Sequence, residues 1–387
     1  MRMNRHIDNV ILNHFSKFKQ VLVLLGARQV GKTTLLKRLF PNALYLLMDE
    51  KPVRDIIETY NISSYKHLIK NSKQIIIDEA HLISEPGRAI KIIYDQTDDI
   101  QIIVTGSSAL HIKNKTGESL AGRSILYHLY PLTFSEYLYQ MEITESIDNV
   151  IIKNILSQNI ETTPKLFNQN AMLENLILYG AYPYTLDTNQ DRIYLENLAD
   201  TAVFKDIIEL NLIDNRAKAR ELLKLLAYQI GNLVSYNELG NKLGLHTQTV
   251  QRYVEIFEQS FILYRQFPFS QSKRNEISKT PKIYFWDLGL RNALIGNFDL
   301  LRIRPDSGAL FENFIINEVQ KLIAYENLNY KINYWRLKSG AEIDLVLNSH
   351  RELIGCQIKL TQGKPTIAFT NRYPKAKVHT ITAQNFY

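Results

Sequence analysis

The sequence contains a single cysteine, Cys356, among its 387 residues, which excludes an internal disulfide. No cysteines and histidines have zinc-site spacing, so a cysteine-rich metal site is also excluded. Long apolar runs are absent as well, and without about 18 consecutive apolar residues no membrane-spanning helix is expected. Residues 1–10 carry Arg2, Arg5 and Asp8 with no unbroken apolar stretch after them, so no signal peptide is apparent. These absences predict a soluble, cytoplasmic protein without a membrane partner.

The composition is that of an ordinary folded protein. Apolar residues make up 45% and charged residues 22% of the chain, which argues against a mostly disordered polypeptide. The length predicts two to four domains. The net charge of +7 permits a nucleic-acid partner. Residues 331–387 carry nine lysines and arginines against three acidic side chains, so most of the excess positive charge lies near the C-terminus.

The order of apolar segments predicts four domains. Residues 1–140 alternate short apolar strands with helical segments, as in a parallel three-layer α/β sheet. Residues 141–210 have helical spacing throughout, and residues 211–300 combine helices with a strand-like stretch. Residues 301–387 return to a small α/β pattern. The strands predicted for the first domain are Val21–Leu25, Leu44–Met48, Ile75–Asp78, Ile102–Thr105 and Ile125–Leu129.

A phosphate-binding loop follows the first predicted strand. The segment from Gly26 to Thr33 fits the pattern G-x-x-x-x-G-K-[ST] and opens a predicted helix. In such a loop, backbone N–H groups curl around phosphates, the lysine reaches the β- and γ-phosphates, and the hydroxyl ligates Mg²⁺. We therefore predict a site for ATP and Mg²⁺ formed by Gly26, Ala27, Arg28, Gln29, Val30, Gly31, Lys32, Thr33 and Thr34.

Two carboxylates end the predicted strand Ile75–Asp78. Asp78 is expected to hold Mg²⁺ together with Thr33, and Glu79 is expected to polarise the attacking water. The next strand ends near Thr105 and Ser107, either of which could sense the γ-phosphate, and the sequence does not choose between them. Catalytic residues are thus predicted at Lys32, Glu79, and Thr105 or Ser107.

Arg123 precedes the last predicted strand of this domain. One interpretation makes it an arginine finger that completes the site of a neighbouring subunit. The other makes it a surface arginine on a basic loop.

These motifs together resemble one bacterial and archaeal group of AAA-type ATPases. The resemblance rests on the P-loop, the Asp78-Glu79 pair, the strand end at residues 105–108 and the segment Ala121 to Tyr137, and it covers nearly the whole chain. It implies an AAA domain, a winged helix, and a C-terminal domain of unknown function related to restriction-endonuclease folds. It also implies a protein that forms dimers or rings.

A helix-turn-helix is predicted within residues 235–257. Ser235 and Glu238 are expected to form a capping box, and Gly244 makes the turn. The outward positions of the second helix, Thr247, Gln248, Gln251 and Arg252, are residue types that contact bases or phosphates. A wing is expected at residues 271–279, with Lys273, Arg274 and Lys279. A protein-binding role for the winged helix is the alternative.

The C-terminal pattern resembles the PD-(D/E)xK nuclease core. Glu312 lies on a predicted helix, Asp344 opens a strand, and Gln357 and Lys359 share one face of the next strand. The resemblance implies a second metal site with a lysine that activates water, although Gln357 replaces the commoner glutamate. The alternative is a domain that keeps the fold for DNA binding or oligomerisation without cleavage.

The leading prediction is therefore a Mg²⁺-dependent ATPase that acts on DNA and assembles into homo-oligomers. Two alternatives stay open: a metal-dependent nuclease that ATP regulates, and a nucleotide-switched protein-interaction module without DNA binding.

Overall fold

The computed structural model describes residues 4–97, 99–107, 120–157, 168–187, 191–209, 213–270, 280–363 and 366–387. The chain divides into two compact units. The first contains residues 1–131 with the short segments 205–210 and 259–261, and the second contains the rest of the chain. Within these described residues, no helix combines the length and the apolar character needed to cross a membrane.

The first unit is built on a five-stranded parallel sheet with the strand order β2-β3-β4-β1-β5. The central strands are buried along their length, as the continuous apolar runs predict. The strands are β1 (Val21–Leu25), β2 (Leu44–Leu47), β3 (Gln74–Asp78), β4 (Gln101–Gly106) and β5 (Ser124–His128). The helices are α1 (Asp8–Leu12), α2 (His14–Lys17), α3 (Lys32–Leu39), α4 (Lys51–Ile57), α5 (Ile62–Ile69) and α6 (Pro86–Gln96). The parallel α/β sheet is thus confirmed, with each predicted strand within one residue of the observed one at both ends.

The second unit begins with helices and continues into a two-stranded hairpin and a mixed four-stranded sheet. The first helices are α7 (Phe134–Gln140), α8 (Val150–Ser157), α9 (Gln169–Tyr179), α10 (Pro183–Asp187), α11 (Arg192–Glu209) and α12 (Arg216–Tyr228). They are followed by α13 (Tyr236–Leu243), α14 (Thr247–Gln259), the antiparallel pair β6 (Leu263–Gln266) and β7 (Lys282–Phe285), and α15 (Leu288–Ile295). The last elements are α16 (Ser307–Tyr325), β8 (Lys331–Arg336), β9 (Glu342–Asn348), β10 (Leu353–Ile358), α17 (Ile367–Arg372) and β11 (Lys377–Ile381). The sheet order is β11-β10-β9-β8.

Four elements of this unit were not predicted from the sequence, namely β7, α15, α17 and β11. They are short, and β7 is fixed by distant residues: Asn313 on α16 both donates to and accepts from the backbone of Phe285. The predicted helix-turn-helix pair is present as α13 and α14. Its capping box is only half formed, because Ser235 accepts from the Glu238 backbone while the Glu238 side chain pairs with Lys242. The predicted wing at residues 271–279 lies outside the described residues, as do Lys273, Arg274 and Lys279. The domain boundaries at residues 140, 210 and 300 stay predictions.

A buried carboxylate joins the loop after α9 to the start of α15. Asp287 accepts from the backbone N–H of Leu290 at 2.8 Å, which caps α15, and from the N–H of Ala181 at 2.6 Å. Burial raises the pKa of Asp287 above its ordinary value although these N–H groups oppose the rise. The carboxylate lies so close to Gly180, whose φ is +79°, that a Cβ there would come within 2.2 Å of Asp287 Oδ1.

Substituting Gly180→Ala should therefore lower the free energy of unfolding by about 2–3 kcal/mol, because it combines a left-handed backbone with a clash against a buried charge. The measurement is urea-induced unfolding. Gly308→Ala is the matched control, since its Cβ would meet nothing within 4 Å on α16, and it should be neutral or stabilising by up to about 1 kcal/mol. Equal stability of the two variants would contradict this account.

Candidate nucleotide site and C-terminal acidic cluster

The phosphate-binding loop joins β1 to α3 with the backbone that the motif requires. Gln29 and Gly31 have positive φ values of 61° and 98°, which turn the chain sharply before the helix begins at Lys32. Gly26 packs so tightly that a Cβ would lie 2.3 Å from the carbonyl oxygen of Leu129. The loop therefore needs glycine at both motif positions, as the sequence predicts.

Lys32 lies inside this loop. Its side chain is buried, and its Nζ donates to the carbonyl oxygens of Gly26 and Ala27, both at 2.9 Å. The ammonium group is thus held at the start of α3, where the helix dipole and the backbone N–H groups also favour negative charge. The arrangement can receive a polyphosphate.

Asp78, at the carboxyl end of β3, accepts hydrogen bonds from hydroxyl groups on three neighbouring elements. Thr33 Oγ1 donates to Asp78 Oδ2 at 2.7 Å, and the hydroxyls of Tyr45 and Thr105 also donate to this carboxylate. The group is almost fully buried. A carboxylate beside the P-loop hydroxyl forms an all-oxygen donor set, which fits Mg²⁺. Tyr45 was missed by the sequence analysis because nothing in β2 marks one strand tyrosine as a partner of Asp78.

Glu79 departs from the strand direction because its backbone is left-handed, with φ 56°. Its Oε2 lies 3.1 Å from Nδ1 of His81, and its backbone N–H donates to Thr105 Oγ1 at 3.2 Å. Burial alone would raise the pKa of this carboxyl, but His81 and Lys32 outweigh it and hold the pKa below its ordinary value. Glu79 is therefore ionised at neutral pH. His81 was not predicted, although its position two residues after Glu79 was a signal.

Thr105 and Ser107 lie in different surroundings. The Thr105 hydroxyl is fully buried and bonded to Asp78, so it supports the metal-binding carboxylate. Ser107 Oγ is also buried but has no hydrogen-bond partner among the described residues.

Arg5 is a further residue that sequence reasoning did not connect with the loop. Its guanidinium is buried and donates to the carbonyl oxygens of Tyr130, at 2.6 Å, and Val30, at 3.4 Å. It therefore fixes the end of the P-loop against the segment after β5. The contact spans 125 residues of sequence, so no local pattern could reveal it.

Arg123 lies at the start of β5, beside Val21 at the start of β1. The P-loop follows the other end of β1, so Arg123 cannot reach the nucleotide site of its own chain. Its guanidinium forms two hydrogen bonds with the Asp95 carboxylate, at 2.9 and 3.3 Å, and these bonds raise its pKa. The arginine-finger role stays a prediction that requires a second subunit.

The helix-turn-helix surface agrees with the predicted faces. Val250, Tyr253, Val254 and Phe257 are buried. Thr247, Gln248, Gln251 and Arg252 are all exposed. The guanidinium of Arg252 is paired with Asp214, and the side-chain amide of Gln251 donates to Glu255 at 3.3 Å.

The four residues predicted for a second metal site belong to one acidic cluster in the second unit. Asp344 on β9 is buried, and its Oδ2 accepts from the side-chain amide of Gln357 and from the Ile358 N–H at 2.7 Å. Lys359 Nζ lies 3.8 Å from the same oxygen. Burial and the nearby Glu312 carboxylate raise the pKa of Asp344 to about 6.

An unpredicted lysine lies within this cluster. Lys282 Nζ, on β7, is 3.0 Å from Glu312 Oε1 and 2.5 Å from Glu342 Oε1. Burial would lower the pKa of this ammonium, but the carboxylates of Glu312 and Glu342 outweigh it and raise the pKa above its ordinary value. Among the described residues, no group of three or more His, Cys, Asp or Glu side chains is arranged to hold a metal ion.

Comparison with known protein families divides the chain into three matched parts. Residues 18–138 match an AAA domain family. Residues 170–301 match the domain of unknown function DUF8612, and residues 307–382 match the domain of unknown function DUF4143.

Relatives of this chain occur in archaea and bacteria. The chain is 27% identical over 351 residues to an uncharacterized protein of Methanocaldococcus jannaschii, a match that covers 85% of this chain and 73% of that protein. It is 26% identical over 359 residues to an uncharacterized protein of Mycobacterium tuberculosis, covering 91% of this chain and 73% of that protein.

Among solved structures, the Walker-type ATPase of Pyrococcus abyssi matches 76% of this chain and 95% of its own, with 14% identity and a TM-score of 0.44. AMPPCP-bound DnaA from Aquifex aeolicus matches 65% of this chain and 86% of its own, with 15% identity and a TM-score of 0.26. Both scores describe a loose likeness. Residues 18–138 match the AAA domain family, and the geometry of the P-loop at the start of this segment agrees with the match.

Proposed function

We propose that the protein binds ATP with Mg²⁺, hydrolyses the nucleotide, and uses hydrolysis to change how its second unit holds nucleic acid. The observation that carries the hydrolytic part is the pair of carboxylates after β3. Asp78 is bonded to the P-loop hydroxyl of Thr33, while Glu79 is a separate, ionised carboxylate beside it. Nucleotide binding alone has no need for the second carboxylate.

The residues of the nucleotide site bind different parts of the ligand, the phosphates and the Mg²⁺ ion. Lys32 neutralises phosphate charge with a buried ammonium, and the backbone of the P-loop supplies N–H donors. Thr33 and Asp78 hold Mg²⁺, which supplies charge stabilisation at the phosphates when it is bound. Tyr45 and Thr105 orient the Asp78 carboxylate through their hydroxyl groups.

Glu79 is the general base in this proposal. Its lowered pKa keeps it ionised, so it can accept a hydrogen bond from the attacking water and draw its proton away. His81 positions the carboxylate through its Nδ1 contact at 3.1 Å. Ser107 is the better candidate for the γ-phosphate sensor, because its buried hydroxyl is unpaired among the described residues while that of Thr105 is engaged.

The nucleic-acid part of the proposal rests on a basic surface within the second unit. One groove, of about 870 Å³, is lined by Thr247 and Gln251 of α14 and by Lys331 of β8. A second groove, of about 860 Å³, also includes Lys331 and continues to Arg351 and Arg372. Because Lys331 lines both grooves, we propose that they form one path from the exposed face of α14 across the C-terminal sheet.

The charge of this path suits a phosphate backbone. Its exposed cations are Lys331, Arg351, Arg372 and Lys375. Lys377 also lines it but is paired with Glu352 at 2.7 Å. Polar side chains from a helix-turn-helix next to a row of cations are what base-edge and phosphate contacts require. We infer duplex DNA as the partner.

Self-assembly is a second part of this proposal. Arg123 is partly exposed at the amino end of the sheet, where it can meet the nucleotide site of another subunit after leaving Asp95. A nucleotide-switched protein-interaction module is the rival function. It shares the ATP site and differs in having no DNA affinity.

Replacing Glu79→Gln should lower ATP turnover by at least about 100-fold while nucleotide binding persists, because only the general base is lost. Lys32→Ala should abolish both binding and turnover. Turnover is measured with Mg²⁺, and binding with a fluorescent ATP analogue. Glu50→Gln and Lys66→Ala, at exposed positions of the first unit, are the charge-matched controls and should behave as wild type. Undiminished turnover by either site variant would refute the assignment.

The variants Thr105→Ala and Ser107→Ala should distinguish a residue that supports the Asp78 carboxylate from one that senses the γ-phosphate. Thr105→Ala removes hydrogen bonds to Asp78 and Glu79, so the free energy of unfolding should fall by about 1–2 kcal/mol. Ser107→Ala removes an unpaired hydroxyl, so stability should stay within about 0.5 kcal/mol while turnover drops about tenfold or more. Urea unfolding and ATP turnover give the two readouts. Normal ATP turnover by Ser107→Ala would show that Ser107 is not the γ-phosphate sensor.

The double substitution Lys331→Ala with Arg351→Ala should weaken duplex DNA binding and reduce the slope of log K against log salt by about 2, one per lost phosphate contact. Fluorescence anisotropy over 50–200 mM salt, about the range where such contacts dominate, measures both quantities. Lys224→Ala, exposed on α12, changes one charge outside the path and should leave the slope unchanged. A wild type without DNA affinity even at low salt would favour the protein-interaction function.

A further inference from the structure

The acidic cluster of the second unit contains a buried lysine, Lys282. The Lys282 side chain is only 4% exposed, and its ammonium forms ion pairs with Glu312 and Glu342. The Asp344 carboxylate contributes to the same electrostatic environment. The ring of Tyr334 lies 5.5 Å from the ammonium and closes one side. The lysine is thus surrounded by negative charge and held away from water.

Glu312, one of the two carboxylates that hold Lys282, is also a predicted metal ligand, and the second predicted carboxylate, Asp344, acts on Lys282 electrostatically. In a PD-(D/E)xK arrangement, the helix carboxylate of Glu312 and the strand carboxylate of Asp344 face a common divalent cation. Glu312 instead accepts from Lys282 at 3.0 Å and from the Tyr284 hydroxyl at 2.5 Å. The Glu312 oxygen that would bind a metal is thus already occupied by an ammonium and a hydroxyl donor, and a divalent cation in the same place would be repelled by the ammonium at short range.

The other predicted metal ligands, Gln357 and Asp344, also form hydrogen bonds within the protein. Gln357 directs its amide N–H toward Asp344, so its side chain serves as a donor to that carboxylate. Asp344 Oδ2 further accepts from the Ile358 backbone. Each group therefore has a partner within the protein, and together they neutralise a cluster that would be costly to bury unpaired.

The strand that carries Lys282 is fixed to the C-terminal elements by several contacts. Asn313 on α16 makes both of the hydrogen bonds that a neighbouring strand would make with Phe285 of β7. The Tyr334 hydroxyl of β8 donates to the carbonyl oxygen of Thr280, just before β7. Lys282 therefore cannot withdraw from the cluster unless the hairpin separates from α16 and β8.

We propose that the ammonium group of Lys282 takes the position of a divalent cation in the cluster of Glu312, Glu342 and Asp344, and that the nuclease-like domain is therefore a docking site for the β6–β7 hairpin and does not cleave DNA. This inference is independent of the ATPase site. It explains why a chain with the order of a nuclease motif retains its acidic residues, since those residues hold a lysine.

The test uses Mn²⁺ as the probe and the full chain without nucleotide. Lys282→Met removes the internal cation. With a chelator present, the melting temperature of this variant should therefore be lower than that of the wild type. It should then rise by about 5 °C with millimolar Mn²⁺, because the carboxylates, which are not arranged around a metal while they hold Lys282, can move to bind the ion once the lysine is gone. The wild type should show no Mn²⁺ shift that depends on Asp344, and it should not nick supercoiled plasmid. Lys224→Met, at an exposed lysine of α12, is the matched control and should not gain a shift.

Two further variants keep the result interpretable. Adding Asp344→Asn to Lys282→Met should remove the gained Mn²⁺ shift, which assigns the shift to this cluster and not to the P-loop. Should Lys282→Met fail to fold, Lys282→Met with Glu342→Gln restores the net charge of the cluster and keeps both Glu312 and Asp344. The proposal is overturned by plasmid nicking or Mn²⁺ stabilisation in the wild type that Asp344→Asn abolishes. A folded Lys282→Met variant that ignores Mn²⁺ would overturn it equally.

Discussion

The carboxylate of Asp78 is nearly inaccessible to solvent, and it accepts hydrogen bonds from hydroxyl groups on α3, β2 and β4. A buried charge without such partners would destabilise the fold severely. This requirement draws the carboxyl ends of neighbouring strands and the first turn of α3 to one point. The nucleotide site of the first unit depends on that convergence, because the same carboxylate stands beside Thr33 of the P-loop.

In the second unit, the helix α16 provides the hydrogen-bond partners that buried polar groups need. The helix α16 is buried along most of its length, yet it carries Asn313, Asn317 and Glu318 in its interior. Asn313 and Asn317 bond to the backbone of β7 and the residue after it, and Glu318 accepts from the Phe134 backbone and pairs with Lys321. Polar side chains on this helix thus replace the hydrogen bonds that an additional strand would provide.

Two buried lysines show how surroundings decide what a cation can do. Lys32 is bonded to the carbonyl oxygens of the P-loop, which carry no net charge, at the place where phosphate would bind. Lys282 is bonded to carboxylates, which neutralise it and make it a structural link. Both side chains are buried, so the difference lies in the charge of the groups that they contact. Local motif patterns describe the first situation and give no sign of the second.

The sequence by itself determined the elements whose signals are local. The P-loop, the carboxylate pair at the end of β3 and the faces of α13 and α14 follow from spacing within about 20 residues, because strand and helix periodicity fix which side chains share a face. Whether a predicted ligand is available depended on partners far away in sequence. Tyr45 reaches Asp78 across 33 residues, Arg5 reaches Tyr130 across 125, and Lys282 reaches Glu312 across 30. Such contacts arise only when the sheet order and the packing of α16 bring separate segments together, so only the tertiary structure decided which carboxylates remain open to a metal and which already hold a lysine.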